Sequence, residues 1–182
     1  MPLSKLDSRA ALIVIDMQKG ILALPLAHPV KPVVDNVAAL TRAFRARNLP
    51  VVLVNVTGAA PGRTERAFNF QPPPDWADLI PELDQKPSDY TVTKMNVGAF
   101  HGTAVERILR RESVTQVFVV GVATGSGVEA TARQAYDQGY NVVLVTDAMT
   151  DLDLDVHRFA VEKTFPRIGE TTTTAEAVAK LG

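Results

Sequence analysis

Three features of this sequence could carry a reaction, and each stands at the end of an apolar run. Asp16 closes "AALIVID" (10–16) and is followed by "MQKG". Lys94 closes "YTVTK" (90–94). The third is the small-residue turn in "GVATGSGV" (121–128), which follows the run "QVFVV". A carboxyl group at the end of a buried strand can serve as general acid or base, with a pKa set by burial and by its neighbours. The same carboxylate could equally be a structural cap for the next turn. A lone lysine is usually solvated surface, but at a strand end it can reach into a shared crevice. Consecutive backbone N–H groups at the start of a helix can hold an anion or a developing oxyanion. Gly127 leaves room where a side chain would otherwise project. The turn carries no thiol, and its only hydroxyls are Thr124 and Ser126.

Several chemistries are set aside by composition and spacing. There is no cysteine, so disulfides, thiolate metal sites and cysteine nucleophiles are excluded. The three histidines, His28, His101 and His157, show no paired spacing that would suit zinc, and no metal is expected. No G-x-S-x-G elbow is present, which leaves Ser126 a weak nucleophile candidate. The stretch "GSGVEA" (125–130) has the form G-x-G-x-x-A, with Asp147 following at the end of the next strand, a spacing like that of a dinucleotide fingerprint. That fingerprint normally opens its domain, whereas here it falls late in the chain, so the sequence points to no cofactor. The net charge of −1 and the lack of any basic run argue against a nucleic-acid partner. No apolar stretch approaches the ~20 residues needed to span a bilayer. The N-terminus lacks the architecture of a signal peptide, so a cytoplasmic location and no membrane partner are expected.

The elements that must position these residues follow from the hydrophobic pattern. "AALIVID" (10–16), "PVVLVNV" (50–56), "QVFVVGV" (116–122) and "NVVLVTDA" (141–148) are β-branched and nearly continuous, which suggests strands buried on both faces of a parallel sheet. Residues 90–94 and "RIGETTTT" (167–174) are weaker strand candidates. Helical spacing appears over 31–48, 101–113, 126–139, 154–165 and 173–182, with Gly139 suited to end the third of these and Asp153 or Asp155 to cap the fourth. Alternation of strand and helix predicts a doubly wound α/β fold, with ligands bound beyond the carboxyl ends of the strands. A length of 182 residues suits a single domain, 1–182. Residues 57–89 are long, proline-rich and irregular, as expected of a lid or pocket wall, and Trp76 in "PDWADLIPEL" could line that pocket or anchor the loop.

Taken together, "ALIVIDMQKGI", "TVTKMNVGAFHGTAVERIL" and "VFVVGVATGSGVEATARQAYDQGYNVVLVTDAM" resemble the isochorismatase-like hydrolase superfamily over about residues 9–175. The resemblance implies a three-layer α/β sandwich with a six-stranded, mostly parallel sheet. It implies catalytic roles for Asp16 and Lys94. It also implies a non-proline cis peptide just before Ala123, and an oxyanion site built from the N–H groups of Ala123 and Gly127. Trp76 resembles the family's pocket tryptophan, and Ile21 stands where relatives place a wall residue. Relatives often form homo-oligomers, and the substrate class is a small molecule. The amidase branch of the family carries cysteine at the position of Gly127, and without it no thioester can form. True isochorismatases resemble this pattern with glycine there, and hydrolyse a vinyl ether by acid/base chemistry. They also carry an aromatic residue and a histidine in the turn, where this chain has only the small residues of "VATGS". That departure widens the expected substrates from isochorismate to other ethers or esters. The alternative is a non-catalytic ligand-binding or scaffold protein derived from a cysteine amidase.

Overall fold

A computed structural model of the chain describes residues 3–65 and 72–182. Six strands form one parallel sheet: β1 (Ala10–Ile15), β2 (Val51–Val56), β3 (Tyr90–Lys94), β4 (Gln116–Val122), β5 (Asn141–Thr150) and β6 (Glu170–Thr172). Their order across the sheet is β3-β2-β1-β4-β5-β6, and every pairing is parallel. The strands β1 and β4 are buried along their whole length. This is why they read as continuous apolar runs rather than as an alternation.

Helices cover both faces. On one side, α2 (Val30–Ala46) and α6 (Thr174–Leu181) pack Val34, Val37, Leu40, Phe44, Ala177 and Leu181 onto Leu12, Val14, Leu53, Phe118 and Val143. On the other, α3 (Val105–Arg111) and α4 (Glu129–Asp137) pack Val105, Leu109, Ala132 and Ala135 onto Ile13, Ile15, Val52, Val117 and Val119. Adjacent residues of β1 thus enter opposite cores, as a strand's alternating side chains require. Two further helices border the carboxyl end of the sheet. The short α1 (Lys19–Leu22) follows β1, and α5 (Leu154–Phe159) follows β5. No helix among the described residues is long and apolar enough to cross a membrane.

Caps follow the local sequence. Asp153 is the residue that caps α5, accepting from the N–H groups of Asp155 and Val156. Thr173 and Glu176 form a reciprocal capping box at α6. Gly139 ends the third predicted helix with φ +86°. The predicted helix over 126–139 divides in two: a π-type turn at Thr124–Val128 leads into α4. Likewise α5 runs on through a π-type turn at Ala160–Thr164.

The largest departure from expectation is in β5. It runs to Thr150, past the predicted end at residue 148, and its pairing with β4 slips between Val119 and Gly121. Leu144 pairs with Val119 and Met149 with Gly121, so extra β5 residues bulge out between them. Asp147 lies in that bulge. Its carboxylate accepts hydrogen bonds from the N–H and hydroxyl of Thr174, at 2.7 and 2.8 Å, and so holds the start of α6. The acid that the dinucleotide reading requires at a ribose is therefore used as a structural anchor.

Candidate active site

The order of the sheet reverses between β1 and β4, with β2 and β3 on one side and β5 and β6 on the other. In open α/β sheets a crevice opens at such a switch point, beyond the carboxyl ends of the strands. A cavity of about 430 Å³ lies there. Asp16, Ile21, Trp76, Lys94, Ala123 and Gly127 all line it, and so does Ser126. The remaining walls are largely apolar, including Leu24, Val56, Ala59, Ala60, Val97 and Leu152. The segment predicted to be a pocket wall thus contributes Gly58, Ala59, Ala60 and Trp76, while residues 66–71 of that loop lie outside the described residues.

Asp16 and Lys94 meet across β2. Adjacent strands are about 4.8 Å apart, so β1 and β3 are separated by roughly twice that. The lysine stem spans this gap and places Nζ 2.7 Å from Asp16 Oδ2. Both side chains are nearly inaccessible, at 3% and 7% exposure. The ammonium also donates to the Asn96 carbonyl at 3.2 Å. Asp16 Oδ1 is buried with no hydrogen-bond partner. Desolvation of this carboxyl outweighs the pull of Lys94, which acts through both charge and hydrogen bond, and drives its pKa up to about 6. A carboxyl poised there can both give and take a proton near neutrality. The backbone of Asp16 is itself unusual, with φ +51°. Few non-glycine residues hold a left-handed conformation, and Asp is among the types that adopt it most readily.

Gly127 faces the Asp16 carboxyl of this pair. A Cβ built on it would lie 3.4 Å from Asp16 Oδ2, 3.5 Å from the Val122 carbonyl oxygen and 3.0 Å from the Ile15 Cγ2 methyl. The missing side chain therefore opens space beside the carboxyl oxygen that Lys94 holds. The peptide bond Val122–Ala123 is cis. Close approach of β4 to β1 depends on Gly121, whose φ is +116°, since a Cβ there would fall 2.0 Å from the Ile15 carbonyl oxygen.

Three features of the site were not visible as functional residues in the sequence. Gln18 is fully buried and ties the long loop to the sheet. Its Nε2 donates to the carbonyls of Val56 and Trp76, each at 3.1 Å, and its Oε1 accepts from Val56 N at 2.8 Å. A bridge between Gln18 and Leu79 and a bond from Gly20 N to the Trp76 carbonyl complete the seam. The Trp76 ring lies directly on Gly20, where a Cβ would come within 1.8 Å of it. Asp151 is the second. It follows β5 and lines the cavity, but its carboxylate is engaged by the N–H groups of Gly125 and Leu152 at 2.7 and 2.8 Å.

The third is a pair of histidines. His28 and His157, unpaired by spacing, stack edge-on with ring centroids 4.6 Å apart. The Thr124 hydroxyl pairs with His157 Nδ1 at 2.8 Å, and Thr150 Oγ1 with His28 Nδ1 at 2.9 Å. Burial, then the neighbouring His28, push the His157 imidazole below its ordinary pKa. Thr124 is completely buried, so this histidine contact locks the turn instead of activating a nucleophile at the cavity. Among the described residues no three His, Asp or Glu side chains gather as a metal site.

The isochorismatase domain matches residues 10–176. The chain is 39% identical to the "Uncharacterized isochorismatase family protein YwoC" of Bacillus subtilis, with 92% of each chain covered. It is 34% identical to the "Uncharacterized isochorismatase family protein YecD" of Escherichia coli O157:H7, covering 94% of this chain and 95% of that one. Among solved structures, an isochorismatase family protein from Burkholderia thailandensis superposes with a TM-score of 0.87 at 38% identity, with 97% of each chain covered.

Proposed function

The chain belongs to the isochorismatase family, and from that premise we propose that it is a small-molecule hydrolase working by acid/base chemistry with no covalent intermediate. The observation that carries this reading is the buried Asp16–Lys94 pair, 2.7 Å apart, facing a residue 127 that has no side chain. A thiol nucleophile is excluded by composition, and burial drives the Asp16 carboxyl up to about 6.

The substrate is a vinyl ether, such as isochorismate or a related compound. Asp16 donates its proton to the terminal vinyl carbon. The electron pair of the ether oxygen stabilises the resulting oxocarbenium-like cation. Water adds to the cationic carbon and returns a proton to Asp16. The hemiketal then collapses to a carbonyl compound and an alcohol. Lys94 holds Oδ2 in place and balances the carboxylate formed in the first step. The N–H groups of Ala123 and Gly127 are assigned to the oxygen that gains charge as the hemiketal breaks down. Trp76, Ile21 and the other apolar walls surround the body of the substrate.

The test is a turnover screen over vinyl ethers, esters and amides with the wild-type protein and Asp16→Ala. Vinyl ether hydrolysis that is lost in Asp16→Ala supports the proposal. Full activity in Asp16→Ala would refute the acid role. Tight binding of these compounds with no turnover of any would instead identify a non-catalytic binding protein on the same fold.

A further inference from the structure

The floor and the mouth of the cavity differ in character. Asp16, Lys94 and Gly127 are buried and form the floor. Three large apolar side chains line the same cavity but stand far more open: Leu24 at 38%, Leu152 at 49% and Val97 at 54% exposure. They belong to the segments that follow α1, β5 and β3, so separate parts of the chain bring them to one opening. Each stands on or beside backbone that is tied down. Leu24 N–H donates to the Ile21 carbonyl at 3.2 Å, and Leu152 N–H to Asp151 Oδ1 at 2.8 Å. The carbonyl of Asn96, next to Val97, accepts from Lys94 Nζ at 3.2 Å. A rim held in this way loses little freedom when a ligand covers it. Exposed apolar surface around a cleft marks where a ligand lies.

Charge adds a second constraint. Asp16, Lys94 and Asp151 are the charged groups among the described lining residues. Lys94 is paired with Asp16, and both Asp151 oxygens accept from backbone, Oδ2 from Gly125 N–H and Oδ1 from Leu152 N–H. A carboxylate drawn in among them would leave water, meet the charge of Asp151 and find no unpaired cation among these residues. We propose that Leu24, Val97 and Leu152 determine specificity, selecting an uncharged substrate whose alkyl or aryl group runs from the reacting bond at the floor to the apolar rim. The inference rests on the acid/base reading above and narrows its substrate to ethers R–O–CH=CH2 in which R is that group. Asp16 protonates the terminal carbon. The oxygen of one water bonds to the cationic carbon, and a proton of that water returns to Asp16. The C–O bond to R–O then breaks as the hydroxyl proton of the hemiacetal passes to the leaving oxygen. The products are the alcohol R–OH and acetaldehyde.

The test is a series of n-alkyl vinyl ethers from ethyl to hexyl, followed through the acetaldehyde common to all. Each rate is divided by that of the same ether in dilute acid without protein. A methylene fully withdrawn from water is worth about fourfold. Against a half-open rim, kcat/KM should rise about two- to fourfold per methylene, through KM and with kcat nearly constant. In Leu152→Asn and in Val97→Asn the ratio of hexyl to ethyl kcat/KM should fall at least about fivefold. Isobutyl vinyl ether and vinyloxyacetate have almost the same shape, and the uncharged one should be favoured at least ~100-fold. Binding of the saturated alkyl ethyl ethers, with affinity rising along the series, reads the rim independently of turnover.

A chain-length dependence unchanged in both variants, or vinyloxyacetate turned over as well as isobutyl vinyl ether, would each overturn the proposal. So would an oligomer that dissociates in Leu152→Asn or Val97→Asn while their chain-length dependence stays that of the wild type, since a second copy would then cover the rim. Turnover that is flat across the series and lost in Asp16→Asn would sink this inference and leave the acid/base reading intact. Rising affinity for the saturated ethers with no turnover of any vinyl ether would keep the rim and remove that reading. Neither turnover nor rising affinity would remove both.

Discussion

Replacing Asp16 by asparagine should change how stability depends on pH, in a direction and by an amount that the structure fixes. Burial raises the folded-state pKa of this carboxyl from an ordinary 3.8 to about 6, even with Lys94 in contact. Between those values the native protein keeps a proton that the unfolded chain has released. Stability therefore falls as pH rises through this window, and levels off above it. At 1.36 kcal/mol per pH unit, a window from 3.8 to about 6 amounts to about 3 kcal/mol. Asparagine has nearly the same shape and does not titrate. Its contact with Lys94 shifts the variant's stability by an amount independent of pH in this range. Subtracting the two stability curves also cancels titrations elsewhere, as expected for sites that do not share partners. The variant should thus gain roughly 2 kcal/mol of this on the wild type between pH 4 and pH 7, the rest falling outside that range because the unfolded carboxyl is already half ionised below pH 4. Urea unfolding at a series of pH values, with m held common, measures this difference. A difference constant within about 0.5 kcal/mol would show that the pull of Lys94 matches desolvation, and one that moves against the variant that it exceeds desolvation. Asp16 would then be a permanent carboxylate, and the acid role would fail.

Other substitutions test neighbouring parts of the account. Lys94→Met removes the charge that lowers the Asp16 pKa, so the midpoint of the pH profile for vinyl ether hydrolysis should move up by roughly 1–3 pH units. An unchanged midpoint would separate Lys94 from Asp16 in solution. Gly127→Cys sets a thiol beside Asp16, and intact-protein mass spectrometry during turnover of p-nitrophenyl acetate should detect an acyl adduct that the wild type lacks. Gln18→Leu removes the Gln18 bonds to the buried Val56 N–H and carbonyl, and one of the two bonds that the Trp76 carbonyl accepts. It should cost about 2–4 kcal/mol in urea unfolding and raise KM more than it lowers kcat, because the loop carrying Trp76 loses its tie.

The fold is legible in the sequence because its strands are buried on both faces. Runs such as "AALIVID" and "QVFVVGV" have no solvent side to interrupt them. Asp16, Lys94 and the small-residue turn stand out for a related reason: each marks where such a run must end, and strand ends are where ligands bind. The bulge in β5 was hidden because "NVVLVTDAMT" reads as a strand that stops at its first acid. That misread gave Asp147 a place at the crevice, although the residue that follows the strand and lines the cavity is Asp151. The His28–His157 contact joins a loop near the start of the chain to α5 near its end, and no local pattern encodes such a meeting. Gln18 lies inside the recognised "DMQKG" stretch, but its bonds go to backbone atoms, which carry no signal in sequence.

The central claim is that the Asp16 carboxyl is the group that moves the proton. It is tested most directly by comparing wild type with Asp16→Asn on phenyl vinyl ether, with binding of the saturated analogue phenyl ethyl ether measured alongside. The account predicts that kcat falls by about 10³-fold or more while the analogue binds both proteins within about threefold, the signature of a lost proton-transfer group. A variant that turns over the vinyl ether at close to the wild-type rate would contradict it.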